Sequence, residues 1–363
     1  MILKNQEPIY HIEKSYQENF SKGPFFSGKI PQRIKPQKEK WIDFFGYKIA
    51  SPLGVPAGPL LNSKWTTLAA NLGFDVVTYK TIRSRAHACQ PLPNCVYVNT
   101  NGSLNKKRLE ETLEQKDSEP TNMENLAITN SFGMPSSGTL SLLKDIEKAN
   151  KSLQEGQIMI VSTVGTPRSE EDFISDFVRT VALAKEAGAK IIEANFSCPN
   201  VATGEGSIYT DPDYVYTIAR SLVKELKEIP LIIKVGIFTN LEKMRQVFYA
   251  VAKAGARGIC GINTIGMAVQ NKYGKPALGP NRLKSGICGA PIHKAAIEFV
   301  KYGRTIIDNE KLGLTLLGTG GVTTPQGFSN LLEAGADIAM SATGMMWNPY
   351  LANKYHQISS TKS

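Results

Sequence analysis

Short apolar runs alternate with amphipathic segments from residue 50 onward in this 363-residue chain, and no other feature restricts its fold as strongly. Candidate strands are Leu53 to Pro56, Asp75 to Lys80, Ile158 to Val164, Lys190 to Phe196, Leu231 to Gly236, Gly258 to Thr264, Leu314 to Thr319 and Asp337 to Ala342. Helical patterns lie between them at Glu170 to Ala187, Asp213 to Glu228, Leu241 to Ala254, Ile292 to Tyr302 and Pro325 to Ala334. Strands that are apolar on nearly every residue belong to parallel sheets, because helices must cover both faces or the whole outside of a closed barrel. Eight such units predict an α/β fold, a (β/α)8 TIM barrel, and the chain length suits one large barrel with insertions.

The phase of the units is set by Ala187-Gly188-Ala189, Ala254-Gly255-Ala256 and Ala334-Gly335-Ala336, where a glycine can take the left-handed conformation that ends a helix. Three regions fall outside the count. Residues 1–40 are polar and basic and read as a loosely attached N-terminal extension, leaving 41–363 as a single barrel domain. Trp41 to Ile49, with Gly46 at its centre, reads as a β-hairpin that closes the amino end of the barrel. Insertions near 99–125 and 267–290 interrupt the βα order and are expected to build the rim over the site.

Composition narrows the class of function. A net charge of +10 is spread along the chain with no basic helix or nucleic-acid motif to collect it, which argues against DNA or RNA and for anionic small molecules. The five cysteines, Cys89, Cys95, Cys198, Cys260 and Cys288, are widely spaced, with no C-x-x-C pair and no four-cysteine set for zinc or iron–sulfur, as in a reducing compartment. The first residues lack the apolar core of a signal peptide and no apolar run reaches bilayer length, so a soluble cytoplasmic protein without a bound metal or a membrane partner is expected.

Reactive groups of a βα barrel sit at the carboxyl ends of its strands. There the chain places Lys80, Asn195 with Ser197 and Cys198, Lys234, Asn263 with Thr264, Gly318-Thr319-Gly320-Gly321, and Thr343-Gly344. The glycines of the seventh unit and Thr343 of the eighth suit a phosphate, since backbone N–H groups can approach an anion where no side chain intervenes; a tight structural turn is the competing reading. Lys80 and Lys234 read as buried lysines that need a reason, or equally as surface lysines that snorkel; if buried, a flavin supplies a reason for both because its reduced ring gathers negative charge. Asn130, Asn195, Asn200, Asn263 and Thr264 offer donors and acceptors for a flat anionic ring. Cys198 follows a strand end and lies beside Gly204-Glu205-Gly206, a possible lid hinge, and could act as nucleophile or general base; Cys95, Cys260 and Cys288 read as small buried hydrophobes.

In this order the motifs Tyr79-Lys80-Thr81, Asn130-Ser131-Phe132-Gly133-Met134-Pro135, Asn195-Phe196-Ser197-Cys198-Pro199-Asn200, Ile233-Lys234-Val235-Gly236, Asn263-Thr264-Ile265-Gly266, Gly286-Ile287-Cys288-Gly289 and Gly318-Thr319-Gly320-Gly321 resemble the dihydroorotate dehydrogenases, flavin enzymes of pyrimidine synthesis. The similarity spans roughly residues 41–350. It implies FMN at the barrel mouth, held by Ala57, Gly58, Lys80, Asn195, Lys234, Gly289, Gly320, Gly321 and Thr343. Orotate or dihydroorotate would stack on it against Lys80, Asn130, Asn195, Asn200, Asn263 and Thr264, with Cys198 taking the C5 proton while the C6 hydride goes to the flavin. Cysteine at the base position resembles the soluble branch, since membrane-bound, quinone-using members usually carry serine, and a homodimer is implied. Where the fumarate-using branch typically has Asn-Pro-Leu-Pro-Arg, this chain has Gln90-Pro91-Leu92-Pro93-Asn94, which leaves fumarate, or NAD through a partner subunit, as the candidate acceptor. The alternatives are a related FMN-dependent dihydropyrimidine oxidoreductase, whose acid cysteine would be sought within 201–210, where none stands, and a flavin-binding barrel without turnover.

Overall fold

The computed structural model describes residues 7–166, 172–197 and 208–361. Eight parallel strands follow one another around a closed barrel: β1 (Leu53–Val55), β2 (Val76–Ile82), β3 (Ile158–Thr163), β4 (Ile191–Asn195), β5 (Leu231–Lys234), β6 (Gly258–Gly261), β7 (Thr315–Thr319) and β8 (Ile338–Met340). Closure comes from β8 pairing with β1. The expected (β/α)8 barrel is borne out. Its strands differ from the expected spans mainly at their carboxyl ends. There β2 runs past Lys80 to Ile82, while β5 and β6 stop at Lys234 and Gly261, so that Val235-Gly236 and Ile262-Asn263-Thr264 turn over the mouth.

Of the expected helices, Leu241–Ala254 matches its predicted span, and Phe173–Glu186, Pro212–Leu226, His293–Asn309 and Pro325–Glu333 overlap theirs. Gly188, Gly255 and Gly335 have φ of 81°, 91° and 108°, the left-handed helix ends read from Ala-Gly-Ala. Among the further helices that the sequence reading did not include are Ser63–Asn71 and Thr139–Lys151. The first buries Trp65, Thr66, Leu68, Ala69 and Ala70, so it has no single apolar stripe; the second buries only Leu142, Ile146 and Ala149 and exposes Leu140.

Alternate residues of each strand point into the barrel, and their polarity changes along its axis. At the amino end the hairpin Ile42–Phe44 and Tyr47–Ile49, turned by Phe45 and Gly46 at φ of 57° and 89°, drives Phe44 and Ile49 against Val76, Ile160, Ile191, Ile232 and Leu317. Burying each such side chain contributes roughly 1.5–3 kcal/mol, so the plug also stabilises the barrel. Higher up, Ser162 Oγ donates to Glu193 Oε1 at 2.9 Å, and above that layer stand Lys80, Asn195 and Lys234. In register, Asn195 faces Lys234 and Lys234 faces Cys260.

Both insertions contribute strands to a second, five-stranded sheet at the carboxyl end: Cys95–Asn99, Thr112–Lys116, Ala127–Asn130, Ile265–Gln270 and Ser285–Gly289. The N-terminal extension is held more tightly than its composition suggests. Ile9 and Tyr10 are buried, the helix Tyr16–Lys22 starts with a Ser15/Glu18 capping box, and Arg33 pairs with Asp75 at 2.6 Å with both side chains at most 5% exposed.

Candidate active site

A cavity of about 1280 Å³ opens at the carboxyl end of the barrel, walled by strand ends, the rim sheet and the N-terminal extension. Ala57 and Gly58 follow β1, Lys80 stands on β2, Asn195 ends β4, Lys234 ends β5, Asn263 and Thr264 follow β6, and all line this cavity. So do Asn130 and Gly289 from the rim sheet, Gly320 and Gly321 after β7, and Thr343 after β8. Residues from nine separate chain segments are thus brought to one space. Cys198, Asn200 and the Gly204-Glu205-Gly206 segment lie outside the described residues.

Lys80 and Lys234 are buried, at 8% and 2% exposure, and each donates to a backbone carbonyl: Lys80 Nζ to Gly58 O at 3.4 Å and Lys234 Nζ to Ala57 O at 3.2 Å. No carboxylate pairs with either among the described residues. Burial lowers the Lys80 ammonium to about 8; the Cys89 thiol opposes that fall and the charge of Lys234 adds to it. Arg83, Arg282 and Lys284 also line the cavity, and no acidic side chain does among the described residues. Such a lining favours an anion strongly, because opposite charges attract more in a confined, poorly hydrated space.

The amides form a connected set. Asn195 Oδ1 accepts from Ser197 Oγ at 2.7 Å and from its N–H at 3.2 Å, while Asn263 Nδ2 donates to Ser197 Oγ at 2.5 Å. From the opposite wall Asn130 Nδ2 donates to Cys288 Sγ at 3.1 Å. Two glycines are fixed by close approach. A Cβ on Gly321, at φ 70°, would stand 2.5 Å from the His293 nitrogen, and one on Gly289, at φ 91°, would stand 2.1 Å from the Leu126 carbonyl oxygen. Glycine is required at both positions, because a side chain at either would collide with neighbouring backbone.

One cysteine reading needs correcting. Cys95 and Cys260 are buried, with thiols pushed up by burial, but Cys288 is half-buried and lines the cavity with its thiol raised to about 12. A strand that alternates toward the cavity, Ser285–Gly289, carries it there. Sequence reasoning also missed Tyr10 and Tyr16, which reach the cavity from the N-terminal extension, and Arg83, whose side chain holds the loop after Asn130. The Ser15-x-x-Glu18 capping box was the available signal for the first helix.

Among the described residues no group of three or more His, Cys, Asp or Glu could hold a metal ion, and no helix is long and apolar enough to cross a membrane. A family model described as dihydroorotate dehydrogenase matches residues 116–358. A relative named dihydroorotate dehydrogenase, from Dictyostelium discoideum, is 51% identical over 96% of this chain and 97% of its own. Two proteins named dihydroorotate dehydrogenase B (NAD(+)), catalytic subunit, are more distant. The one from Methanocaldococcus jannaschii is 28% identical over 61% of this chain and 67% of its own, and the one from Bacillus pumilus is 28% identical over 66% and 73%. With its barrel, its cation-lined mouth and this full-length likeness, the chain belongs to the dihydroorotate dehydrogenase family.

Proposed function

We propose that the protein oxidises dihydroorotate to orotate with FMN as its resident flavin. The observation that carries this reading is the cavity wall: among the described residues Lys80, Arg83, Lys234, Arg282 and Lys284 line it with no acidic side chain, and the two buried lysines hydrogen-bond only to backbone carbonyls. Such a wall suits a phosphorylated cofactor together with a carboxylate substrate. The residues fit the group. Ala57, Gly58, Asn195 and Lys234 would hold the ring system, and Gly289, Gly320, Gly321 and Thr343, which also line the cavity, would stand around ring or phosphate. Bound there, FMN supplies the acceptor for the hydride lost from C6 of the substrate.

Asn130, Asn195, Asn263 and Thr264 hold the substrate ring, joined by Asn200, and the Lys80 charge holds its anionic form. Cys198 removes the C5 proton as general base. A cysteine in that role supports the soluble branch, read here as a cytoplasmic homodimer with fumarate, or NAD through a partner subunit, taking the electrons. The name of the Dictyostelium relative states no acceptor, and the relatives named for NAD(+) match only part of this chain, so both acceptors enter the test. The purified protein should be yellow and should bleach when dihydroorotate is added without oxygen; a colourless protein with no affinity for flavin overturns the reading. Stopped-flow reoxidation by fumarate, quinone and NAD in parallel identifies the acceptor.

A further inference from the structure

Lys80 has a weak polar environment for a buried ammonium: among the described residues Nζ makes one hydrogen bond, to the Gly58 carbonyl, 3.4 Å long. Two ring faces make up for it. Nζ lies 5.7 Å from the centroid of Tyr16, on the N-terminal helix, and 5.6 Å from that of Phe132, on the loop after the rim strand Ala127–Asn130. The rings are themselves fixed, because Tyr16 packs on Phe132 at 6.2 Å and Tyr10 meets Phe132 edge-on at 5.9 Å and Trp65 at 6.1 Å. A cation over an aromatic face is attracted by the ring quadrupole, and the attraction grows as water is removed.

We propose that Tyr16 and Phe132 are positioning residues that clamp the Lys80 ammonium in its charged form against the cavity, so that the N-terminal extension is part of the reaction site. The clamp acts on a group that needs it. Burial draws the ammonium down to about 8, and the titratable groups near it among the described residues are the Lys234 ammonium on β5, the Cys89 thiol and Tyr16, whose hydroxyl burial pushes up and keeps neutral. The proposal rests on Lys80 being a site cation, as in the reading above, but its test needs no turnover.

The deprotonation midpoint of Lys80 can be followed by NMR on the purified protein labelled with 13Cε-lysine, the signal being assigned by its loss in Lys80→Met. Replacing Tyr16 or Phe132 by leucine should lower the midpoint by roughly half to one and a half pH units, the range a desolvated cation–π contact implies. Tyr16→Phe, which keeps the ring and removes the hydroxyl, should retain the wild-type midpoint. A midpoint that stays or rises in both leucine variants overturns the clamp, as does a Tyr16→Phe shift as large as that of Tyr16→Leu. If Tyr16→Leu does not fold, Phe132→Leu alone decides. Failure of the dihydroorotate reading would leave these titrations unchanged, whereas failure of the clamp would appear in them with dihydroorotate oxidation intact.

Discussion

Lys80 sets function against stability within one residue. Its folded-state value of about 8 lies below the ordinary lysine value, so between pH 8 and about 10.4 the unfolded chain keeps a proton that the folded chain has released. Stability from this group therefore rises with pH across that window, and below it the fold carries the whole cost, on the order of 3 kcal/mol. Lys80→Met should raise the melting temperature of the flavin-free protein by a few degrees at pH 7 while slowing flavin reduction by dihydroorotate. Thermal melts and anaerobic stopped-flow check the two halves; an unchanged or lower melting temperature would mean that the charge is not a burden. Cys198→Ala should bind flavin normally and reduce it about 10²-fold more slowly, as expected on loss of a general base. A wild-type reduction rate would remove Cys198 from the chemistry. Lys80 and Lys234 were legible in sequence because strand ends mark themselves by pattern. Tyr16 was not, since what makes it matter is a ring and an ammonium brought together from positions 64 residues apart.

Between residue and fold, the loop after Asn130 shows how an element is held in an unfavourable shape. Met134 sits at φ 51°, a region that costs a side-chain-bearing residue about 1–2 kcal/mol. Arg83 holds it there: Nε donates to the Met134 carbonyl at 3.0 Å, Nη2 to that of Gly133 at 3.3 Å and Nη1 to Thr166 Oγ1 at 2.7 Å. The same loop presents Phe132 to Lys80, and Met134 Sδ accepts from Asn195 Nδ2 at 3.5 Å. Arg83→Met removes charge-assisted bonds worth about 1.5–3 kcal/mol each and should weaken orotate binding by at least about tenfold by loosening Asn130 and Asn195 together. Spectral titration of the flavin with orotate measures this, and an unchanged affinity would show that the loop keeps its shape unaided. The sequence motif Asn130 to Pro135 was recognisable, but its clamp was not, because Arg83 follows a strand end at which a surface arginine reads the same way. The strand Thr112–Lys116 was hidden because it is polar; it pairs with Tyr97, Val98 and Asn99 nearby and with Ala268, Val269 and Gln270, more than 150 residues away.

At the scale of the whole molecule, the barrel was legible because each βα unit is a local pattern repeated, whereas the rim sheet and the N-terminal extension depend on contacts between distant segments that no periodicity announces. The extension illustrates the energetics. Arg33 reaches Asp75 at the start of β2 through two bonds, Nη2 to Oδ1 at 2.6 Å and Nε to Oδ1 at 3.1 Å, and its Nη1 donates to the Glu155 carbonyl at 2.9 Å. Asp75 is 1% exposed, and Ser51 Oγ donates to its other oxygen at 2.6 Å. Removing the arginine leaves a buried carboxylate without its cation, a change that typically costs 3–5 kcal/mol, with ~3 the better figure here because Ser51 and Gln157 still donate to Asp75. Lys38, a few residues on, pairs with Glu155 where both side chains are more than 60% exposed, and such pairs contribute about 0–1 kcal/mol. Arg33→Met should therefore lower the melting temperature by several degrees and Lys38→Met hardly at all. Because the extension also carries Tyr10 and Tyr16 into the cavity, Arg33→Met should weaken orotate binding as well, although Arg33 itself does not line the cavity. Equal melting temperatures for the two variants, or full orotate affinity in Arg33→Met, would return the extension to the loose wrap that its composition suggests.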